Sequence, residues 1–369
     1  MQRPDPHIII SGGGTGGHIF PALAIARALK RKIPGAQILF SGAKGRMEME
    51  KVPEAGFLIK GLWISGLKRE ISMENLAFPF KVVSSLFKAL SIIRKFKADV
   101  AVGVGGYASG PALRAAGMLG VPTVLQEQNS FPGITNKILG KKASKICVAF
   151  KGMEQFFPSS KIVITGNPIR KEVIDIEGKR EEAARFFNLD PIKKTIMVVG
   201  GSQGALSINL CIEKIIPFFK ENKVQLLWQT GKNFEARATA ACNNEQYAEV
   251  KVTGFIQRMD LAYAMADIVI SRAGAIAIAE LAAVRKPVVF IPLPTAAEDH
   301  QMKNARRLEE KEAALVIPDR EANEKLPSFL LKLINDEAYC KKLEINIGSF
   351  AVTDADERIA DEIIALITR

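Results

Sequence analysis

Glycine runs at the ends of apolar segments are the residues of this chain whose types and spacing point most directly to chemistry. Gly12–His18 reads GGGTGGH, directly after the strand-like HIIIS of His7–Ser11 and at the opening of a helix. Backbone N–H groups in such a turn face outward and the helix dipole favours an anion, so the ligand expected there is a phosphate. A second run, GVGGYASGP over Gly103–Pro111, and a third, GGSQGA over Gly200–Ala205, have the same setting. In the third, Ser202 and Gln203 can add side-chain hydrogen bonds while the glycines let the backbone approach. None carries the GxxxxGK[ST] lysine, which argues against a P-loop hydrolase. Gly12, Gly14 and Gly17 fit GxGxxG, but a nicotinamide site needs an acid ending the next strand, and that strand ends Phe40-Ser41-Gly42. Three such loops, two in one half and one in the other, imply two phosphorylated ligands meeting across a cleft.

His18, one of three histidines, stands in the first turn of the helix that leaves the first loop. The positive end of the helix disfavours an imidazolium, so His18 is expected to be neutral, either as a helix-capping or phosphate-contacting group or as a general base. Glu280 lies in AGAIAIAEL with no Lys or Arg three or four residues away. There it is either a solvated helix face or a carboxylate placed to bind sugar hydroxyls. Asp354-Ala355-Asp356 resembles a metal-binding DxD pair, yet Thr353 as N-cap with acids in the first turn of a helix accounts for it. The four cysteines are far apart and lack CxxC spacing, so neither a zinc site nor a disulfide framework is expected, and no cofactor is.

The elements that must position these residues follow one grammar: a short apolar run, glycine, then an amphipathic helix. Strands are expected at His7–Ser11, Gln37–Phe40, Phe57–Lys60, Val100–Gly103, Thr123–Gln126, Ile146–Ala149 and Ile162–Thr165, with a helix over Ile19–Lys32. The second half repeats the pattern at Thr195–Val199, Gln225–Gln229, Val250–Thr253, Ile268–Ser271, Val288–Ile291 and Ala314–Ile317. Such alternation means βαβ units and parallel sheets. The halves also resemble each other: ADVAVGVGGYASGPALRAAGMLGVPTVL from Ala98 can be laid on ADIVISRAGAIAIAELAAVRKPVVFI from Ala266. The expected fold is α/β, two doubly wound parallel-sheet domains facing a cleft, spanning 1–166 and 167–352, with a closing helix at about 353–369 packing back on the first.

The 369 residues suit two domains, and 48% apolar with 24% charged residues is a globular balance. Pro6–Ala26, the longest uncharged stretch near the N-terminus, holds five glycines and cannot serve as a membrane span, and no signal peptide is expected before it. Residues 1–165 carry 23 Lys and Arg against 9 Asp and Glu, a net of +14, whereas 166–369 carry 28 against 30. The first half is therefore expected to meet something anionic. Leu76–Lys97 reads LAFPFKVVSSLFKALSIIRKFK, with Lys81, Lys88 and Lys95 seven residues apart. Most of its apolar stripe reads as an ordinary sheet-covering helix. The surplus at its start, Leu76, Phe80, Val83 and Leu86, flanked by Lys81 and Lys88, reads as a patch dipping into an anionic membrane surface.

Taken in order, GGGTGGHIFPALAIA, GVGGYASGP, LQEQNSFPGITNK, TGNPIR, GGSQGALSIN, VTGFIQRM, SRAGAIAIAEL and PLPTAAEDHQMKNA resemble the MurG family over residues 8 to about 315. These are the UDP-N-acetylglucosamine transferases that make the disaccharide of lipid II in bacterial peptidoglycan synthesis. The resemblance implies a GT-B fold and a metal-independent, inverting transfer of N-acetylglucosamine to the C4 hydroxyl of the muramyl sugar of lipid I, an undecaprenyl diphosphate. It implies Asn129 and Gln301 on the donor sugar, Arg170 and Ser202 on the nucleotide diphosphate, and the backbone of Ile256 on the uracil. It further implies Ala275, Ile276, Ala277, Ile278 and Ala279 at a helix start with Glu280 on the ribose, and Thr15, Gly16 and Gly17 near the transferred sugar. Gly13, Gly14, Gly105, Gly106, Tyr107 and Ser109 would hold the acceptor's diphosphate, and His18 or Glu127 would be the base. A peripheral place on the cytoplasmic face of the inner membrane, with cell-wall or division proteins as partners and no nucleic acid, is implied as well. The sequence departs from the family pattern at Arg285 and Glu312, where glycine is usual, and at Ala277, commonly Thr.

Overall fold

The computed structural model describes residues 5–14, 16–66, 78–201, 204–243 and 247–367, so Thr15, Leu76 and Ser202 lie outside the described residues. Met1–Ile169 with Val352–Arg369 forms one compact unit and Arg170–Ala351 the other. In the first unit, the described strands are β1 (His7–Ser11), β2 (Gln37–Ala43), β3 (Leu58–Leu62), β4 (Val100–Gly103), β5 (Thr123–Glu127), β6 (Lys145–Val148) and β7 (Ile162–Ile164). They pair in parallel in the order β3-β2-β1-β4-β5-β6-β7. The second unit has β8 (Thr195–Val199), β9 (Gln225–Gln229), β10 (Val250–Thr253), β11 (Ile268–Ser271), β12 (Val288–Phe290) and β13 (Leu315–Val316), in the parallel order β10-β9-β8-β11-β12-β13. Both orders reverse direction once, between β1 and β4 and between β8 and β11, as in doubly wound nucleotide-binding sheets.

Strand alternation divides each core into two layers. Ile8 and Ile10 join Ile19, Ile25 and Leu29 of the helix Gly16–Lys32 on one face, while Ile9 joins Ala89, Ile93, Ala101 and Ala115 on the other. Ile196 and Val198 likewise share a cluster with Ile208 and Ile212, and Met197 shares one with Ile278 and Leu281. The repeated segments occupy matching places, β4-helix-β5 and β11-helix-β12. Their shared Asp does the same work twice. Asp99 donates its backbone N–H to the His7 carbonyl at 2.8 Å and accepts the His7 amide on its carboxylate at 2.7 Å. Asp267 does so with Thr195, at 2.9 and 2.8 Å. Each carboxylate thus fixes the register of the strand that carries a glycine loop at its other end.

The closing helix Ala355–Ile367 buries Ile359, Ala360 and Ile363 in the first unit's core. Asp356 pairs with Arg31 at 2.6 Å, Asp361 with Lys32 at 2.8 Å and Glu362 with Lys145 at 3.4 Å. Asp354 pairs with Arg358 at 2.9 Å, so both acids of the DxD look-alike hold arginines.

Two of the departures from the family pattern have a backbone explanation. Arg285 (φ 53°) and Glu312 (φ 49°) both adopt the left-handed conformation that glycine takes without a Cβ penalty. Arg285 ends the helix Ala275–Val284, and Glu312 follows the helix His300–Glu309 and pairs with Lys342 at 2.8 Å. These positions lie beyond the carboxyl ends of their helices, away from the helix starts that carry Ala275 and Gln301. Arg285→Gly is expected to raise stability by about 0.5–1 kcal/mol, read from the midpoint of urea unfolding. A lower midpoint would mean that the Arg285 side chain, which lies against Gly348, contributes more than the backbone conformation costs.

Candidate active site

At a reversal of strand order, neighbouring strands send their helices to opposite faces of the sheet, and the space beyond their carboxyl ends is where ligands bind. In the first unit that space is bounded by the loops after β1 and β4. They interlock: a Cβ built on Gly106 would meet the Gly13 carbonyl oxygen at 2.3 Å, and one on Gly14 would lie 3.1 Å from the Tyr107 ring. Gly14, Gly105 and Gly106 have φ of 92°, 88° and 77°, which side-chain-bearing residues rarely adopt. The His18 imidazole lies over Gly105, whose Cβ position is 2.8 Å from His18 Cδ2. Ser109 is buried, and its hydroxyl donates to the Gly106 carbonyl at 2.8 Å, so it braces the loop from behind.

Glu48, which no local sequence pattern marks, anchors this arrangement. It is buried, accepts the Ala43 amide at 2.9 Å on Oε1 and the Gly14 amide at 3.1 Å on Oε2, and leaves no room for a side chain at Gly13. Gln128 ties β5 to the same loops by donating to the Val104 carbonyl at 2.7 Å and to Gln126, which itself donates to Asn167 at 3.1 Å.

Glu127 and His18 have different surroundings. The Glu127 carboxylate is buried and accepts the Asn129 amide at 2.9 Å, the Asn129 side chain at 3.3 Å, the Asn136 side chain at 2.8 Å and the Gly133 amide. Burial pushes its pKa up, opposed by those bonds. Its oxygens are committed to the loop that begins with Asn129.

In the second unit the reversal lies between the loop after β8 and the turn after β11. Gly204 (φ 75°) packs so closely on Thr230 that a Cβ would sit 2.1 Å from the Thr230 carbonyl oxygen. Gln229, buried at the end of β9, donates to the carbonyls of Gly201 at 2.9 Å and Gly254 at 3.2 Å, joining the glycine loop to the segment that carries Ile256. Arg272 fixes the opposite turn through the carbonyls of Ile291 and Pro292 at 2.9 and 3.1 Å, Ser207 at 2.7 Å and Asp319 at 2.5 Å. Gly274, extended, leads into the helix Ala275–Val284. Ile276, Ala277 and Ala279 are partly exposed there, whereas Ala275 and Ile278 are buried, Ile278 within the core.

Glu280 has partners that helical spacing could not reveal. Tyr263, buried beneath it, donates its hydroxyl to Oε2 at 3.1 Å, and Arg170 Nη2 approaches Oε1 at 3.6 Å. Burial raises the Glu280 pKa, and Arg170 then Tyr263 oppose the rise. Gln301 accepts the Leu293 amide at 3.0 Å, after a turn in which Glu298 and Asp299 both have positive φ, 54° and 53°.

The membrane-directed patch is corrected in one place. On the helix Phe78–Phe96, Leu86 packs against the first unit's core, and it is Phe87 that faces outward, 67% exposed, with Phe80 (73%), Val83 (52%) and nearby Trp63 (50%). One residue's difference is about 100° around a helix, which decides the face. Lys81 donates to Ser65 at 3.1 Å, while the Lys88 pKa is lowered by partial burial first and then by nearby Lys44 and Lys60. Among the described residues no helix is long and apolar enough to cross a membrane.

Residues 8–148 match the glycosyltransferase family 28 N-terminal domain and residues 195–359 match its C-terminal domain. The chain is 51% identical over 359 residues to the UDP-N-acetylglucosamine--N-acetylmuramyl-(pentapeptide) pyrophosphoryl-undecaprenol N-acetylglucosamine transferase of Flavobacterium psychrophilum, covering 97% of each chain. It is 52% identical over 368 residues to the protein of the same name from Cytophaga hutchinsonii, covering 100% of this chain and 99% of that one. Among solved structures it resembles MurG of Acinetobacter baumannii, at 28% identity and a TM-score of 0.76, covering 98% of this chain and 99% of that one.

Glu48→Ala leaves two amides without their acceptor and is expected to lower stability by about 1–3 kcal/mol, read by urea unfolding. An unchanged midpoint would show that the Glu48 carboxylate does not hold the loop.

Proposed function

We infer the reaction from one premise: this chain belongs to glycosyltransferase family 28. It transfers N-acetylglucosamine from UDP-N-acetylglucosamine to the muramyl-pentapeptide carried on undecaprenyl diphosphate, converting lipid I to lipid II. The observation that carries this reading is identity of about half of all positions, over the whole chain, with transferases named for that reaction.

In the residue-level proposal, the second unit binds the donor. The uracil lies against the backbone at Ile256, the ribose against Glu280, the diphosphate at the start of the helix Ala275–Val284 with Arg170, and the sugar against Gln301. Glu280, oriented by Tyr263, offers a fixed acceptor for ribose hydroxyls. A departing diphosphate is stabilised by the helix dipole and by Arg170. The first unit binds the acceptor at its interlocked glycine loops. His18, lying over Gly105, takes the proton from the C4 hydroxyl as that oxygen attacks the anomeric carbon and the UDP bond breaks with inversion. Glu127 serves as a positioning residue for Asn129, consistent with the hydrogen bonds it accepts from Asn129 and Gly133 of that loop and from Asn136 of the helix that follows.

The protein works, in this reading, as a peripheral protein on the cytoplasmic face of the inner membrane. Phe80, Val83, Phe87 and Trp63 insert into the lipid surface and the surrounding lysines meet anionic headgroups, at about 1 kcal/mol per basic residue.

UDP release from UDP-N-acetylglucosamine, with and without a lipid I analogue, tests the reaction itself; release must depend on the analogue. In that assay His18→Ala is expected to lower kcat by about 10²–10⁴ while UDP affinity is retained, and near-normal turnover would reject the base. Glu280→Ala and Arg170→Ala are each expected to weaken UDP binding about 10- to 150-fold by calorimetry. Flotation should recover the protein with anionic vesicles at low salt and lose it at high salt. Recovery in the soluble fraction under every condition would remove the membrane role.

A further inference from the structure

The turn after β2 carries an exposed guanidinium, Arg46. It lies two residues before Glu48, whose carboxylate locks the turn to the first glycine loop through Ala43 and Gly14. On the other side of the loop, the Tyr107 ring stands against Gly14, with its hydroxyl 3.4 Å from the Cβ position of that glycine. Arg46 lies within hydrogen-bonding reach of the same hydroxyl.

Donor and acceptor chemistry then fixes what this corner can bind. A guanidinium only donates, so the phenol oxygen accepts from Arg46 and the phenol's own proton is left to point elsewhere. Burial holds the Tyr107 pKa above its ordinary value, which keeps that proton in place through the neutral range. The corner therefore presents N–H and O–H donors. It also sits beside a buried carboxylate that has already taken the Gly14 amide, one of the backbone donors a phosphate would otherwise use. Beside Glu48 an anion would be repelled unless a cation stood with it. The planar fork of Arg46 matches two phosphate oxygens at once, which a lysine does not.

We propose that Arg46 binds the diphosphate of the lipid-linked acceptor, with the Tyr107 hydroxyl donating beside it and Glu48 as the positioning residue that holds the turn against the loop. The proposal rests on the first unit being the acceptor domain, and it adds a binding residue to that domain.

The kinetic test uses the full chain and a short-chain soluble lipid I analogue without membrane, and flotation with anionic vesicles compares wild type and Arg46→Ala separately. Arg46→Ala is expected to raise KM for the analogue roughly 10- to 150-fold, the loss of a charge-assisted contact, with kcat and KM for UDP-N-acetylglucosamine near wild type. Arg46→Lys should recover only part of the loss. Calorimetry with inorganic pyrophosphate should show the same weakening without any turnover. An unchanged KM for the analogue in Arg46→Ala, or an equal rise in both KM values, overturns the proposal. Loss of binding to anionic vesicles with an unchanged KM would assign the guanidinium to lipid headgroups and also overturn it. If the wild-type chain binds pyrophosphate through Arg46 but transfers no sugar, the proposed reaction fails while the anion site stands. Transfer by the wild type with no effect of Arg46→Ala fails the site alone.

Discussion

Two adjacent parallel strands whose helices lie on opposite faces of the sheet cannot keep their outgoing chains together. Beyond β1 and β4, and again beyond β8 and β11, the hydrogen-bonded ladder stops and the two segments part. Backbone amides and carbonyls are then left in a partly buried place without ladder partners, which costs free energy unless something else pairs with them. Both glycine-loop sites depend on how those two gaps are filled.

Side chains from neighbouring strands and turns fill them. Glu48 serves Gly14 and Ala43, Gln128 serves Val104, Gln229 serves Gly201 and Gly254, and Arg272 serves Ile291 and Pro292. At the opposite end of the central strands Asp99 and Asp267 clamp the first residue of β1 and β8. A strand fixed at both ends holds its glycine loop still, so the loop can be shaped for a phosphate before one arrives. Preorganisation of this kind is what lets dipoles and a few charges stabilise a leaving diphosphate. It also explains why the glycines are needed. Gly106 and Gly204 face carbonyl oxygens at distances no Cβ could occupy.

Much of this was legible in the sequence because parallel strands buried on both faces read as unbroken apolar runs. His7–Ser11, Val100–Gly103 and Thr195–Val199 appear where those runs stand, and the Ala-Asp repeat marks equivalent strands. The glycine loops were legible because their composition is local. What remained hidden depends on long-range contacts. Nothing near Glu48 in sequence shows that it reaches Gly14, and Tyr263 and Arg170 come to Glu280 from other elements. The outward face of the helix Phe78–Phe96 was off by one residue, Leu86 for Phe87, since an apolar stripe wider than one core contact does not reveal which edge the sheet covers.

The two reversals serve different ligands in this reading, the nucleotide belonging to the second. Amide hydrogen exchange with and without UDP addresses it directly. UDP should slow exchange at Gly204–Ala205 and along Ala275–Glu280, and leave Gly12–Gly14 and Gly103–Gly106 unchanged. Slowed exchange at the first unit's loops, with the second unit's unaffected, would contradict it.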